Sequence, residues 1–545
     1  MARAVSPSPR LRWLFWPMTV FLALLLLVRA LELRIPEMTR PFWEDEIHHN
    51  EPVLASADMT AFEHKYMFRA MYQPKLDFWL RHEVWFPMLG RNERALRIPA
   101  LVYSEVLVLL VYGLLIAFFW SRVERRWAPL LAFVASIWIV DNPLQVHYAA
   151  EARHYTFIAL ASTLWFALLL LYQGKPRWLF AAASLLFANT HFFALPVIAG
   201  GYGLQILSEL RARRYGWVVF QLGVCLLIGA SIAHFSWVPL HALLTAPPGS
   251  KRAPLGTMFA LPSLQAGFEV WVNYLRVLGV PPWGWVVWLT LLITAIRSRQ
   301  TRWFAPLVAV FLILPVFFLY MQFRSTQPIH RRYFSAFFGL GLIALIAGLD
   351  WVFTLWRRFA PRLSVRTRPW AVALLLLVFA CSFSAPAFAY RVVADWQNIH
   401  SLPKNFSPYY RAYAELAQEE KPMLFVIAKC YTSDSAGMYL NFLVPHPKAS
   451  MEWTELRCWK GAEYLKARKT IRSFLSSHGA SDGIVVLDQK DLDCEDRAIP
   501  SFPAPTHVEK VRAMPCMWKV SGVTTPRELS TVATALGFAP ASEIR

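Results

Sequence analysis

Apolar residues in this chain do not alternate with polar ones at a helical or strand period over most of its length. They run on in blocks. A bilayer core needs about 20 mostly apolar residues per helix, and scanning on that basis predicts eleven spans: 13–31, 98–119, 127–146, 154–172, 177–190, 191–208, 217–238, 283–296, 303–321, 333–355 and 369–390. The fifth and sixth are short and nearly fused. The first could be read as a cleavable signal, since Arg10 and Arg12 precede it, but its length and the lack of a small-x-small cleavage site favour a retained anchor.

Beyond about Arg391 the pattern changes to that of a water-soluble fold. "KPMLFVIA" (421–428) and "DGIVVLDQ" (482–489) read as buried strands, and "EYLKARKTIRSFLSSHG" (463–479) between them reads as an amphipathic helix ending on Gly479. The expected organisation is a membrane all-α domain over 1–391 with about 11 transmembrane helices, followed by a soluble α/β domain over 392–545. No repeat of solenoid or transporter scale is visible.

Composition agrees with the pattern: of 545 residues 56% are hydrophobic and 15% aromatic, with 24 Trp. A net charge of +20 would suit a nucleic-acid binder only if the basic residues formed one soluble patch. Instead they crowd the loops on one side of the spans: Arg3, Arg10, Arg12; Arg122, Arg125, Arg126; Lys175, Arg177; Arg211, Arg213, Arg214; Arg297, Arg299, Arg302; and Arg357, Arg358, Arg362, Arg366, Arg368, with Glu124 and Glu209 as the acids among them. That is a topology signal. It places the N-terminus in the cytoplasm and, with an odd number of spans, residues 392–545 outside.

The cysteines fit that orientation. Cys225 and Cys381 fall in apolar spans, whereas Cys430, Cys458, Cys494 and Cys516 all lie in the exported domain and are expected to form two disulfides, in one of three connectivities. A zinc site is the weaker reading, because no CxxC pair occurs.

Residues suited to chemistry gather on the outer side. The loop 32–97 carries "PFWEDEIHHNEP" with Glu44, Asp45 and Glu46, then Lys75 in "MYQPKLDFW", and then "KLDFWLRHEVWFPMLG", which suits a helix lying in the interface with Trp79 and Trp85 at headgroup level. A second exterior loop, 240–282, contains the Pro- and Gly-rich "APPGSKRAPLG" and is a candidate lid. "NPLQVHYAAEARHYTF" (142–157) brings His147, Glu151, Arg153, His154 and Tyr155; His191 sits in the turn between spans five and six; "STQPIHRRYF" (325–334) brings Arg331, Arg332 and Tyr333. Carboxylates beside Arg and Lys at one membrane boundary provide a base for a hydroxyl and cations for a phosphate.

Taken in order, "WEDE", "YQPKLDFWL…GRNERALRIPALV", "YAAEARHYTF" and "HRRYF" resemble the bacterial members of glycosyltransferase family 39, the protein mannosyltransferase and aminoarabinose transferase group with the GT-C fold. The resemblance covers most of 13–350. It matches Asp45-Glu46 to the family's Asp-Glu pair, Gly90, Glu93, Ala95, Leu96, Arg97 and Pro99 to G-x-x-E-x-A-L-R-x-P, Glu151 to Tyr155 to E-A-R-x-Y, and Arg332-Tyr333 to the late R-Y. Where the family has a second Pro this chain has Lys75. The exported domain resembles no named family.

What the resemblance implies is an inverting transfer of a sugar from a polyprenyl-phosphate donor to a hydroxyl on an envelope lipid, glycan or protein, at the periplasmic face of a bacterial inner membrane. Asp45 would be the base, with Glu46 and Glu151 as further carboxylates. Lys75, Arg153, Arg331 and Arg332 would face the departing phosphate, and Tyr155, His191 and Tyr333 would complete the substrate site. No cofactor is expected, and no nucleic acid. A divalent metal at His48, His49 and Glu51 is the weaker reading, since two adjacent histidines cannot share a helix face.

Blander readings stand beside these. The acidic run could serve a helix N-terminus, Glu151 and Arg153 could form a structural ion pair, Arg331 and Arg332 could anchor to lipid phosphates, His191 could be a satisfied turn residue, and Glu105 inside span two could pair with an Arg. The rival classes are a transporter or flippase of a lipid-linked substrate and a non-catalytic glycan-binding scaffold.

Overall fold

The structure is a computed structural model. It describes residues 9–39, 42, 44–56, 76–122, 127–172, 176–192, 194–245, 408–427, 447–455, 462–488, 499–511 and 517–536, with isolated residues between 335 and 353 and at 439, 443, 514, 538 and 544. Lys75, Arg331, Arg332, Tyr333, the four exported cysteines, Cys381, the loop beyond 245 and spans eight, nine and eleven lie outside the described residues. The chain forms two compact units, the described parts of Met1–Glu37, Met59–Val84 and Arg97–Ser401 in one and of Met38–Asp58, Trp85–Leu96 and Leu402–Arg545 in the other.

The first unit is helical. Its elements are α1 (Pro9–Arg34), α3 (Leu76–Leu80) running into a π turn (Arg81–Trp85), α5 (Glu93–Trp120) from Arg97 on, α6 (Ala128–Val140), α7 (Pro143–Ala150), α8 (Tyr155–Phe166) with a π turn (Ala167–Leu171), α9 (Arg177–Ala188), α10 (Ala194–Arg211) and α11 (Tyr215–Thr245); α2 (Glu44–Ala55), α4 (Phe86–Leu89) and the first four residues of α5 belong to the other unit. Among the described residues two helices, Glu93–Trp120 and Tyr215–Trp237, are long and apolar enough to cross a membrane by length and composition. Along α11 Val219, Leu222, Leu226 and Leu227 are exposed. Such a face suits acyl chains better than water.

Two expectations change in detail. The third span stops at Val140, because Asn142 and Pro143 start a new helix: Asn142 Oδ1 accepts the Gln145 N–H at 3.2 Å, and proline is suited to the first helical position. Span seven is kinked at Ser236, whose φ of −142° is not helical. Spans five and six are separate helices, as the apolar runs had them, with residues 189–192 outside both.

Helix α1 packs on α6 and α7, α8 on α9, and α10 and α11 on α9. The α8–α9–α10 contact turns on Trp165, whose Nε1 donates to Ser184 Oγ at 2.9 Å while that hydroxyl meets Tyr202 at 3.1 Å. A Cβ on Gly201 would come within 2.5 Å of the Trp165 ring, and the ring is fixed by its hydrogen bond. Gly201→Val is therefore expected to lower stability by about 1–3 kcal/mol, read as a lower thermal midpoint of the purified protein in detergent.

At one end of this unit basic side chains meet acids. Arg122 holds Asp350 at 2.8 Å, Glu209 accepts from Arg177 at 3.1 Å and from Arg214 at 2.6 Å, and Arg177 lies 3.2 Å over Trp217. Elsewhere in the unit lies a second set of charges, with Arg34 and Glu32 buried and Arg29, Glu105 and Asp141 partly so: Arg29 faces Glu32 and Asp141, and Arg34 faces Glu105, each at 3.5 Å. Glu105 thus pairs with an arginine.

In the second unit, α12 (Pro408–Leu416), β1 (Met423–Ile427), β2 (Met451–Glu455), α13 (Ala462–Asp482), β3 (Ile484–Asp488), β4 (His507–Lys510), β5 (Met517–Ser521) and α14 (Pro526–Ala535) follow in order. The sheet order is β2-β1-β3-β5-β4, with β1 parallel to β2 and β3, and β5 antiparallel to β3 and β4. The unbroken apolar runs of β1 and β3 are what strands covered on both faces require. Ala467, Ile471, Phe474 and Leu475 of α13 join Leu529, Val532 and Ala533 of α14 over Leu424, Val426, Val485 and Leu487. The opposite side chain, Phe425, meets Tyr413 of α12 at 6.0 Å between ring centres. Helix α13 runs through Gly479 to Asp482 rather than ending on that glycine. Lys519 on β5 bonds Glu419 at 2.9 Å and Glu509 at 3.0 Å; burial alone would lower its pKa, but these hydrogen bonds outweigh it and hold the pKa above the usual value.

Candidate functional site

In the first unit the chemistry-bearing side chains collect where α7 gives way to α8. Four residues, 151–154, link the helices. The link is wound tightly, with Glu151 N–H donating to Tyr148 at 3.3 Å and Arg153 N–H to Glu151 at 2.7 Å. Thr156 Oγ1 donates to the Ala100 carbonyl at 2.9 Å and fixes the start of α8 against α5. All of Glu151, Arg153, His154 and Tyr155 are buried, between 1% and 4% exposed. A charged residue in that state is rare without a partner.

Each has one. Glu151 Oε2 is 4.0 Å from His147 Nε2, and the Arg153 guanidinium lies 4.8 Å over the Tyr155 ring. His154 stacks on His191, 5.7 Å between centres and 22° between planes, and tilts against Tyr155 at 5.2 Å. Asp77 of α3 comes within 4.8 Å of the His154 ring and receives Arg81 Nε at 2.7 Å. A carboxylate, two imidazoles, a guanidinium on an aromatic face and a buried Asp–Arg pair therefore share one end of the unit. Such a set can hold an oxyanion and move a proton.

His191 lies in the turn between α9 and α10, outside both helices. Burial first, and the Arg153 charge second, push its pKa down from 6.5 to about 3. The folded protein therefore holds the imidazole neutral while the unfolded chain protonates near 6.5. Its stability contribution is complete above that pH and falls as pH drops from 6.5 toward 3. Allowing for the partial exposure of the ring, the loss at pH 5 is expected to be about 1 kcal/mol; His191→Gln should flatten the fall in thermal midpoint between pH 7 and pH 5.

The second unit carries the acidic run. Glu44, Asp45 and Glu46 are the first three residues of α2, where carboxylates oppose the positive end of the helix dipole whatever else they do. Glu46, His49 and Asn50 lie on a buried face at i, i+3 and i+4, beside Ile47, Val53 and Leu54. Asn50 Nδ2 donates to the Glu46 carbonyl at 2.7 Å, and the far end of the helix is closed by Arg91, whose Nη1 donates to the Leu54 carbonyl at 3.3 Å. The buried polar face makes α2 more than a solvated loop. Glu93, from G-x-x-E, is fully buried in this unit and accepts from Tyr439 Oη at 3.4 Å.

Glu151, Arg153, Tyr155 and His191 are thus brought together, while Asp45 and Glu46 are held on α2. Sequence reasoning passed over Asp77 and Arg81. Their i, i+4 spacing in "DFWLR" was the available signal, masked by the amphipathic reading of the same stretch; Trp79 is exposed but Asp77 and Arg81 face inward.

No protein-family model and no curated protein matches the chain. Among solved structures, the crystal structure of ArnT from Cupriavidus metallidurans bound to undecaprenyl phosphate is similar over 94% of this chain and 98% of that one, at 14% identity and a TM-score of 0.47. The likeness spans nearly the whole of both chains, but at that score it assigns neither fold nor activity.

Proposed function

We propose that the protein is a multi-pass membrane glycosyltransferase of the GT-C type that moves a sugar from a polyprenyl-phosphate donor to a hydroxyl acceptor at the periplasmic face of a bacterial inner membrane. The observation that carries this reading is the burial of Glu151, Arg153 and His154 in the short link between two helices, and of Tyr155 at the start of the second, with His191 stacked on His154. A lipid-linked donor needs its phosphate met by cations at headgroup depth and its acceptor admitted from water; a site at helix ends meets both demands.

In an inverting displacement one carboxylate takes the proton of the acceptor hydroxyl as its oxygen attacks the sugar's anomeric carbon, and the phosphate leaves with the bonding pair. Asp45 is assigned as the base, with Glu46 and Glu151 supporting it. Lys75, Arg153, Arg331 and Arg332 neutralise the departing phosphate, and Tyr155, Tyr333 and His191 shape the pocket. The mechanism calls for no metal or other cofactor. Envelope lipids and glycans are to be weighed by mass spectrometry with and without the gene. A difference of one sugar on one class of molecule supports the assignment and names the acceptor; identical spectra, with the lipid-linked sugar neither consumed nor accumulated, reject it.

One observation favours a second reading. Glu105 lies well inside α5, paired with the fully buried Arg34, and transporters keep charges at such depth. Movement of an intact lipid-linked sugar across vesicles, with no glycosidic bond broken, would decide for transport.

A further inference from the structure

An open α/β sheet usually offers a ligand crevice at the carboxyl ends of its strands, at the point where the chain reverses its direction of travel across the sheet. In this sheet that point lies between β1, which leads to β2 on one side, and β3, which leads away on the other. Asp488, the last residue of β3, is fully buried and accepts from Tyr413 Oη at 3.4 Å. Tyr413 contacts Phe425 of β1 and stacks on Tyr439, 5.4 Å between centres and 21° between planes. Tyr439 in turn meets Phe42, two residues ahead of α2, at 5.7 Å, and its hydroxyl donates to Glu93. Tyr413, Tyr439 and Glu93 have no exposed surface, and Phe42 has 3%.

The stretch that Tyr439 reaches through Glu93 also holds the other end of α2, through the bond from Arg91 to the Leu54 carbonyl. The acidic helix is thus fastened ahead of its first turn by the Phe42 contact and after its last turn by Arg91. Both fastenings lead back to the sheet, and none of these contacts is local in sequence. We propose that the C-terminal α/β domain is a clamp that sets the position of α2, with Tyr439 as its positioning residue and Glu93 as the acceptor on which it bears. This assigns a task to the C-terminal domain and to the buried glutamate of G-x-x-E. The consequence for catalysis rests on the glycosyltransferase reading; the clamp itself does not.

The test is hydrogen exchange on the full-length protein in detergent, following residues 44–55 against β1 and β3, in Tyr439→Phe, Glu93→Leu and the double variant. Loss of one buried hydrogen bond is expected to speed exchange of 44–55 by about threefold to tenfold, with β1 and β3 unchanged and no further gain in the double variant. Unchanged exchange in 44–55 overturns the clamp. Equal acceleration in 44–55, β1 and β3 also overturns it, since Tyr439 would then be ordinary core. In a donor-substrate assay the variants should lose kcat and keep the KM for a polyprenyl-phosphate sugar. A wild-type protein that transfers no sugar defeats the glycosyltransferase reading alone, and the exchange result still decides the clamp.

Discussion

Asp45→Asn protein is expected to accumulate in the membrane, to keep the wild-type thermal midpoint to within a degree or so, and, on the glycosyltransferase reading, to transfer sugar about a hundredfold to ten-thousandfold more slowly than wild type, the scale of losing a general base. Asparagine keeps the size of the side chain and its capacity to accept a hydrogen bond at the start of α2, so the fold is spared while the basic oxygen is lost. Glu46→Gln should cost less, because Glu46 is assigned to support the base. The measurement is the initial rate of sugar transfer from a polyprenyl-phosphate donor to membrane extracts, with thermal unfolding run on the same preparation. Wild-type transfer by the Asn variant would remove Asp45 from the mechanism, leaving its carboxylate as a helix-dipole partner in the first turn.

Glu105→Leu is expected to be the most damaging substitution for stability. Arg34 is fully buried, its guanidinium faces Glu105 at 3.5 Å, and Arg29 and Glu32 stand in the same group with Asp141. Removing Glu105 leaves the buried Arg34 charge with only the more distant Asp141 acting on it; losing one member of a buried pair costs about 3–5 kcal/mol, and Asp141 should hold the loss toward the lower figure. Replacing both members by apolar residues removes the stranded charge. The Arg34→Leu, Glu105→Leu double variant should therefore recover most of the thermal midpoint lost by Glu105→Leu alone. If the single variant unfolds no earlier than wild type in detergent, the pair is not the buried contact described, and Glu105 becomes free for the functional role that the transport reading gives it.

Asp45 was singled out by its place in an ordered set of motifs, a matter of residue types along the chain. Arg34 and Glu105 lie in different helices, and nothing in the local pattern around either names the other. The same division runs through the whole molecule. Helices α8 to α11 follow the apolar runs closely, and β1, β3 and α13 sit where "KPMLFVIA", "DGIVVLDQ" and "EYLKARKTIRSFLSSHG" placed them. The strands β2, β4 and β5 were not anticipated: β2 is "MEWTE", β4 is a charged edge strand, "HVEK", and β5 carries a lysine at its centre. Their pairing supplies what their composition does not signal.

By itself, then, the sequence determined the helical character of the larger part, the α/β character of the C-terminal part, and the residues available for chemistry, because hydropathy and periodicity act between neighbours three or four positions apart. Tertiary structure decided which of them meet. It grouped 38–58 and 85–96 with the C-terminal domain, set Tyr439 against Glu93 across 346 positions and Arg122 against Asp350 across 228, and stacked His154 on His191. Contacts of that range form when whole faces are packed and their burial offsets the entropy of closing the chain between them. A single sequence has no local mark for them.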